Sequence, residues 1–96
     1  MRILIKNPSD EGFRQIVVPN DLKVLQDLVD GHIETVTLEE DLCVICNEEG
    51  RIRGLDFNCY YYGIGFVGTI LLVGIDECDF TDCPMSVTMA NGGIES

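Results

Sequence analysis

Ninety-six residues are enough for one domain with one modest core, burying roughly 60–65% of the surface of the unfolded chain. A hydrophobic share of 46% excludes a disordered polar chain. Six basic residues face seventeen acidic ones, a net charge of −11, and all six lie before position 54. That balance speaks against direct binding of nucleic acid or of an anionic membrane, because both need cations to meet phosphate.

Arg2–Lys6 reads as a strand, with Ile3 and Ile5 alternating with Arg2, Leu4 and Lys6. Asn7 to Gly12 is dense turn chemistry, and Phe13–Val18 returns as the second strand of a hairpin. A helix follows, with Asn20 or Asp21 as its N-cap. Leu22, Leu25, Leu28 and Val29 form its apolar face, and Gly31 takes the C-cap position. His32–Leu38 is a strand, Glu39–Asp41 an acidic turn, and Leu42–Cys46 an apolar run of the kind found in the centre of a sheet. Asn47–Gly50 turns the chain into a short partner strand, Arg51–Leu55. Phe57–Gly65, with its Tyr60-Tyr61-Tyr62 run, has no clear period. Phe66–Ile75 is a strand rich in Val, Ile and Leu, and from Glu77 the chain reads as a polar, irregular tail whose last residues are loosely ordered. The order ββαββ(β)β predicts an α+β fold: a mostly antiparallel sheet of about five strands with one helix packed on it, in a single domain over residues 1–96.

Met1–Lys6 is too short for the apolar core of a signal peptide, and the apolar stretch Ile64–Ile75 is half a membrane span, broken by glycines. The expected location is the cytoplasm, where five cysteines stay reduced; their odd number also argues against a disulfide framework.

Gly63-Ile64-Gly65-Phe66-Val67-Gly68 matches the dinucleotide fingerprint, but strand residues follow it where that site requires a helix. A glycine-rich turn into a strand is the reading the residues support, and no cofactor is expected. Cys43-x-x-Cys46 and Cys78-x4-Cys83 are the candidate zinc thiolates. Against them, residues three apart on a strand point to opposite faces, and no glycine follows Cys46 to make a knuckle. The expectation is therefore no metal, with buried free thiols. A redox pair would need a helix N-terminus beside Cys43, which neither flank offers. His32 is the only histidine and reads as a surface residue. Asp76–Asp82 lacks the spacing and the final glutamate of a calcium loop. No nucleophile and base stand in a supporting pattern, so the chain is not expected to be an enzyme.

The chain resembles domain-of-unknown-function family 3846, whose members occur on phages, plasmids and other mobile elements. The resemblance is carried by the opening strand, Leu22-x-x-Leu25-x-x-Leu28-Val29-x-Gly31-x-Ile33-Glu34, Val44-x-Cys46-Asn47-Glu48-Glu49-Gly50, Gly54-Leu55-x-x-Asn58, and Gly68-Thr69-Ile70-Leu71-Leu72-Val73-Gly74. It differs from the family's Leu-Pro-x-Asn pattern at Leu55-Asp56-Phe57-Asn58, and its cysteine-rich tail is unlike the general pattern. The resemblance implies a mobile-element setting, in which small acidic proteins often inhibit host defence by copying the charge of DNA.

Charge and resemblance together predict an anti-defence interaction protein of the anti-CRISPR or antirestriction type. Its expected partner is a host nuclease or nucleoprotein complex with a basic surface. The expected contact residues are Glu39, Glu40, Asp41, Glu48 and Glu49 in one patch and Asp76, Glu77, Asp79 and Asp82 in another. Because the turns flanking Leu42–Cys46 lie at opposite ends of that strand, these need not form one surface. Two alternatives stand beside this reading. One is a small-molecule or nucleotide site lined by Tyr60–Tyr62 and the glycines after them. The other is a structural accessory that forms a homodimer through an exposed sheet edge.

Overall fold

The computed structural model describes residues 1–95. In chain order the elements are β1 (Arg2–Lys6), β2 (Arg14–Val17), α1 (Leu22–Val29), β3 (Ile33–Glu39), β4 (Leu42–Asn47), β5 (Phe57–Tyr61), β6 (Ile64–Val67), β7 (Ile70–Asp76), β8 (Asp79–Thr81), α2 (Val87–Gly92) and β9 (Ile94–Glu95). The fold is α+β, as the pattern predicts, but with two antiparallel sheets and two short helices. The main sheet runs β2-β1-β7-β4-β3, with β8 pairing on β7, and the small sheet runs β6-β5-β9.

The composition of the central strands follows from coverage on both faces. β1, β4 and β7 are almost wholly buried, so they are apolar without alternation, as strands enclosed on two sides are. Leu25 and Val29 of α1 pack with Ile3, Ile5, Cys43, Ile45, Leu71 and Val73 on one face. On the other face Leu4, Val44, Cys46, Ile70 and Leu72 meet Cys59, Tyr61 and Phe66 of the small sheet and Ala90 of α2. The result is three layers: a helix, the main sheet, and the small sheet with α2.

Asp21 is the N-cap of α1, its side chain accepting from the Lys23 N–H at 2.8 Å. Asp30, at φ 60°, closes the helix, one residue before the expected Gly31.

Three expectations are corrected. Arg51–Leu55 is not a strand. Between Asn47 and Leu55 the chain coils into turns closed by Arg53 N–H to Glu49 O and Leu55 N–H to Gly50 O. Asn47 anchors them: its amide donates to Val29 O and Asp30 O, and its Oδ1 accepts from the Glu49 N–H. The stretch read as one strand, Phe66–Ile75, is divided at Gly68 between two sheets. Gly68 sits at φ 71°, and a Cβ there would lie 2.8 Å from Leu55 Cδ1. Finally, the region after Glu77 contains β8, α2 and β9. Ser86 caps α2 by accepting from the Met89 N–H, a serine cap that the polar composition concealed.

Two of the hairpin turns, Tyr62-Gly63 and Glu77-Cys78, have both central residues at positive φ, unlike the Glu40-Asp41 turn between β3 and β4. That is the backbone a two-residue hairpin favours, although only Gly63 suits it by residue type.

Candidate functional site

The acidic residues are sorted by strand pairing. β4 runs antiparallel to β7 with Leu42 opposite Gly74. The β3–β4 turn therefore lies beside the end of β7, where the Ile75 N–H donates to Asp41 O at 3.1 Å. β7 turns there into β8, with Asp76 opposite Asp79. Glu39, Glu40 and Asp41 thus share one end of the main sheet with Asp76, Glu77 and Asp79, and all six are exposed. The two acidic stretches expected as separate patches meet at this end.

Asp82 borders this end but faces the fold, accepting from the Arg2 backbone N–H at 2.8 Å. Asp79 accepts from Asn20 Nδ2 at 3.1 Å. Glu48 and Glu49 are at the opposite end of β4, in the turn built on Asn47. They are exposed but stand apart from the other carboxylates.

Among the described residues the ion pairs are Lys23–Asp27 and Arg53–Asp30, and neither reaches the acidic end. The guanidinium of Arg2, though close in the chain fold, is bonded to Gln15 Oε1, Cys83 O and Met85 O. The carboxylates at this end consequently face solvent without a cationic partner. Tyr62, which sequence reasoning placed in a ligand pocket, joins them instead: its hydroxyl donates to Glu39 Oε2 at 2.5 Å. That bond, with lesser help from burial and the Glu39 and Asp41 charges, pushes the phenol above its ordinary range. Neither the Tyr62 contact nor the adjacency of the two turns has a local sequence signal.

The four candidate zinc cysteines are not brought together. Cys43 lies in the core under α1, Cys46 and Cys83 in the core under the small sheet, and Cys78 is exposed at the β7–β8 turn. Among the described residues, no group of three or more His, Cys, Asp or Glu side chains could hold a metal ion. Burial pushes the Cys43 thiol up to about 11. Burial, then the Glu34 charge, does the same to Cys46, against a smaller opposing effect of Arg51. These thiols are protonated at neutral pH and are poor nucleophiles.

A separate cleft of about 410 Å³ opens between the outer part of the main sheet and β6. Val36, Cys46, Phe66 and Val67 form its floor and wall, and Glu34, Glu48, Arg51 and Ile52 its rim. The tyrosines expected to line a ligand pocket are elsewhere: Tyr61 is in the core, and Tyr60 is exposed on the outer face of the small sheet. The glycine-rich segment is the β5–β6 hairpin and the crossing to β7, with no helix after it. It therefore lacks the helix N-terminus on which a pyrophosphate would rest.

Fold and site together define a small α+β domain whose distinctive surface is a carboxylate-lined sheet end. A family model described as Domain of unknown function (DUF3846) matches residues 1–90, and the chain belongs to that family. No curated protein and no solved structure matches it. Three residues in the segments that carry the resemblance have structural roles: Asn47 anchors the turn after β4, Asn58 bonds Lys6 O and Gly68 O, and Gly68 lets the chain pass between sheets. No helix among the described residues is long and apolar enough to cross a membrane.

Proposed function

We propose that this domain is a non-enzymatic interaction protein whose acidic sheet end binds a basic surface on a partner protein. The observation that carries the reading is the junction of Glu39–Asp41 with Asp76–Asp79: six exposed carboxylates with no ion-pairing cation among the described residues. Such a cluster is self-repulsive, and a complementary cationic surface relieves the repulsion while speeding encounter. A groove built for phosphates presents that surface, because it accepts carboxylates at comparable density. The partner class that fits is thus a nucleic-acid enzyme or nucleoprotein complex. In the mobile-element setting that the family resemblance implies, the domain would inhibit a host defence nuclease by occupying its nucleic-acid channel.

The test is affinity capture from host lysate with the wild-type domain and with the double variant Glu40→Lys/Glu77→Lys. Capture of a nucleic-acid enzyme that is released by added DNA, and weakened at least about tenfold in the variant, is the expected result. Glu48→Lys/Glu49→Lys, at the other end of β4, should bind as the wild type does. Capture that neither DNA nor the first variant alters would overturn the reading.

A further inference from the structure

The cleft beside β6 has the features of a place where a strand is missing. β6 is an edge strand that, among the described residues, pairs with β5 alone. Tyr61 and Ile64 flank a two-residue turn, so they form the hydrogen-bonded pair of the hairpin. The next pair, Tyr60 and Gly65, is then non-bonded, and Gly65 turns its own N–H and C=O away from β5. That carbonyl accepts from Arg51 Nη2 at 2.6 Å, an arginine standing where the donor of a further strand would be.

The apolar surface beneath is incompletely covered. Val36 and Val67 are half-buried, Ile64 is exposed, and Ile52 on the facing turn is 87% exposed. The rim bears two exposed carboxylates, Glu34 and Glu48, against one cation, Arg51, which the Gly65 carbonyl already engages.

We propose that this cleft is the docking site for an extended segment of a partner protein with alternating apolar and basic residues, which adds as a strand to the free edge of β6. Its backbone meets the outward peptide groups of Gly65, its apolar side chains cover Val36 and Ile52, and a lysine or arginine reaches Glu34 and Glu48. Strand addition of this kind draws affinity from main-chain hydrogen bonds and specificity from the side-chain pockets. The same two carboxylates disfavour a nucleotide or any other anionic occupant. The cleft is apart from Asp76–Asp79, and the inference does not rest on the acidic end being a binding surface.

The test is an NMR titration of the 15N-labelled domain at physiological salt. The probes are five-residue capped peptides of the form X-Lys-X-Lys-X, with X being Val, Ile or Leu, and matched X-Glu-X-Glu-X peptides. Saturable shifts at Val36, Ile52 and Gly65 with the lysine series, slowed exchange of the Gly65 amide, and no saturation with the glutamate series are expected. Glu34→Lys/Glu48→Lys, both at exposed positions, should weaken binding at least about tenfold. Gly65→Pro removes an amide that the hairpin does not use; its Cβ would lie 3.2 Å from the ring of the exposed Tyr60, which must shift slightly, and the variant should weaken binding while circular dichroism shows the sheet retained. Arg51→Ala frees the Gly65 carbonyl and should not abolish binding. No saturable shifts with any lysine peptide, equal binding of the glutamate series, or shifts confined to Glu39–Asp79 would overturn the proposal. So would concentration-dependent line broadening at β6 without peptide, since a second copy would then be the occupant.

Discussion

Lys6 ends β1 with only 3% of its surface exposed, and its ammonium donates to Asn58 Oδ1 at 2.9 Å. The Asn58 amide in turn donates to Lys6 O and Gly68 O, both at 2.8 Å. This one side chain links the main sheet to the crossing from β6 to β7 and satisfies a buried cation. Asn58→Ala should destabilise the domain by about 3 kcal/mol, because it strands a charged donor and two buried carbonyls. Lys6→Met should cost less, since it removes the charge and leaves both Asn58 amide bonds available. Urea unfolding of the two variants checks the order. The buried thiols add a pH dependence. Cys43 and Cys46 rise from an ordinary 9.0 to about 11 in the fold, so between those values the unfolded chain has released protons that the folded chain retains. The contribution of these two thiols to stability should therefore be constant below about pH 9 and fall from there to about pH 11, with a slope of up to about 1.4 kcal/mol per pH unit for each thiol. Urea midpoints measured across that window, with Cys43→Ala flattening the slope, test the assignment.

At the level of elements, the β7–β8 hairpin is built against local preference. Glu77 and Cys78 hold φ of 48° and 71° without being glycine, and a left-handed residue with a side chain costs about 1 kcal/mol or more. Replacing the pair by Asn-Gly should raise the melting temperature by several degrees, because that dipeptide suits a turn with two positive φ values. A second constraint lies in the same hairpin. A Cβ on Gly74 would sit 2.2 Å from Asp82 O and 3.0 Å from Thr81 Cγ2, so Gly74→Ala must push the chain after β8 away from β7. A loss of about 1–3 kcal/mol in chemical denaturation is expected. Both changes alter the scaffold of the acidic end; only the first removes one of its carboxylates.

Over the whole molecule, −11 is spread on a body of 31 × 29 × 21 Å. At about 10 mM salt the screening length is roughly the size of the domain, so the carboxylates repel one another across it. The melting temperature should rise as sodium chloride increases from about 10 to about 200 mM, with less gain in Glu40→Lys/Glu77→Lys, where part of the repulsion is gone. Calorimetry would show this, and a melting temperature independent of salt would contradict it.

The α+β class, helix α1 and the central strands β1 and β4 were legible from residue order, because 3.6-residue spacing and unbroken apolar runs are local consequences of burial. The acidity and its separation from the basic residues were equally plain. Three things depended on distant pairing. Opposing Leu42 to Gly74 unites Glu39–Asp41 with Asp76–Asp79 and leaves Glu48 and Glu49 apart. Leu55 against Gly68 divides one apparent strand between two sheets. The end of the small sheet at β6 leaves the cleft beside Val36 open. Each is a matter of register between segments far apart in the chain, which packing of the two cores selects and which no local period records.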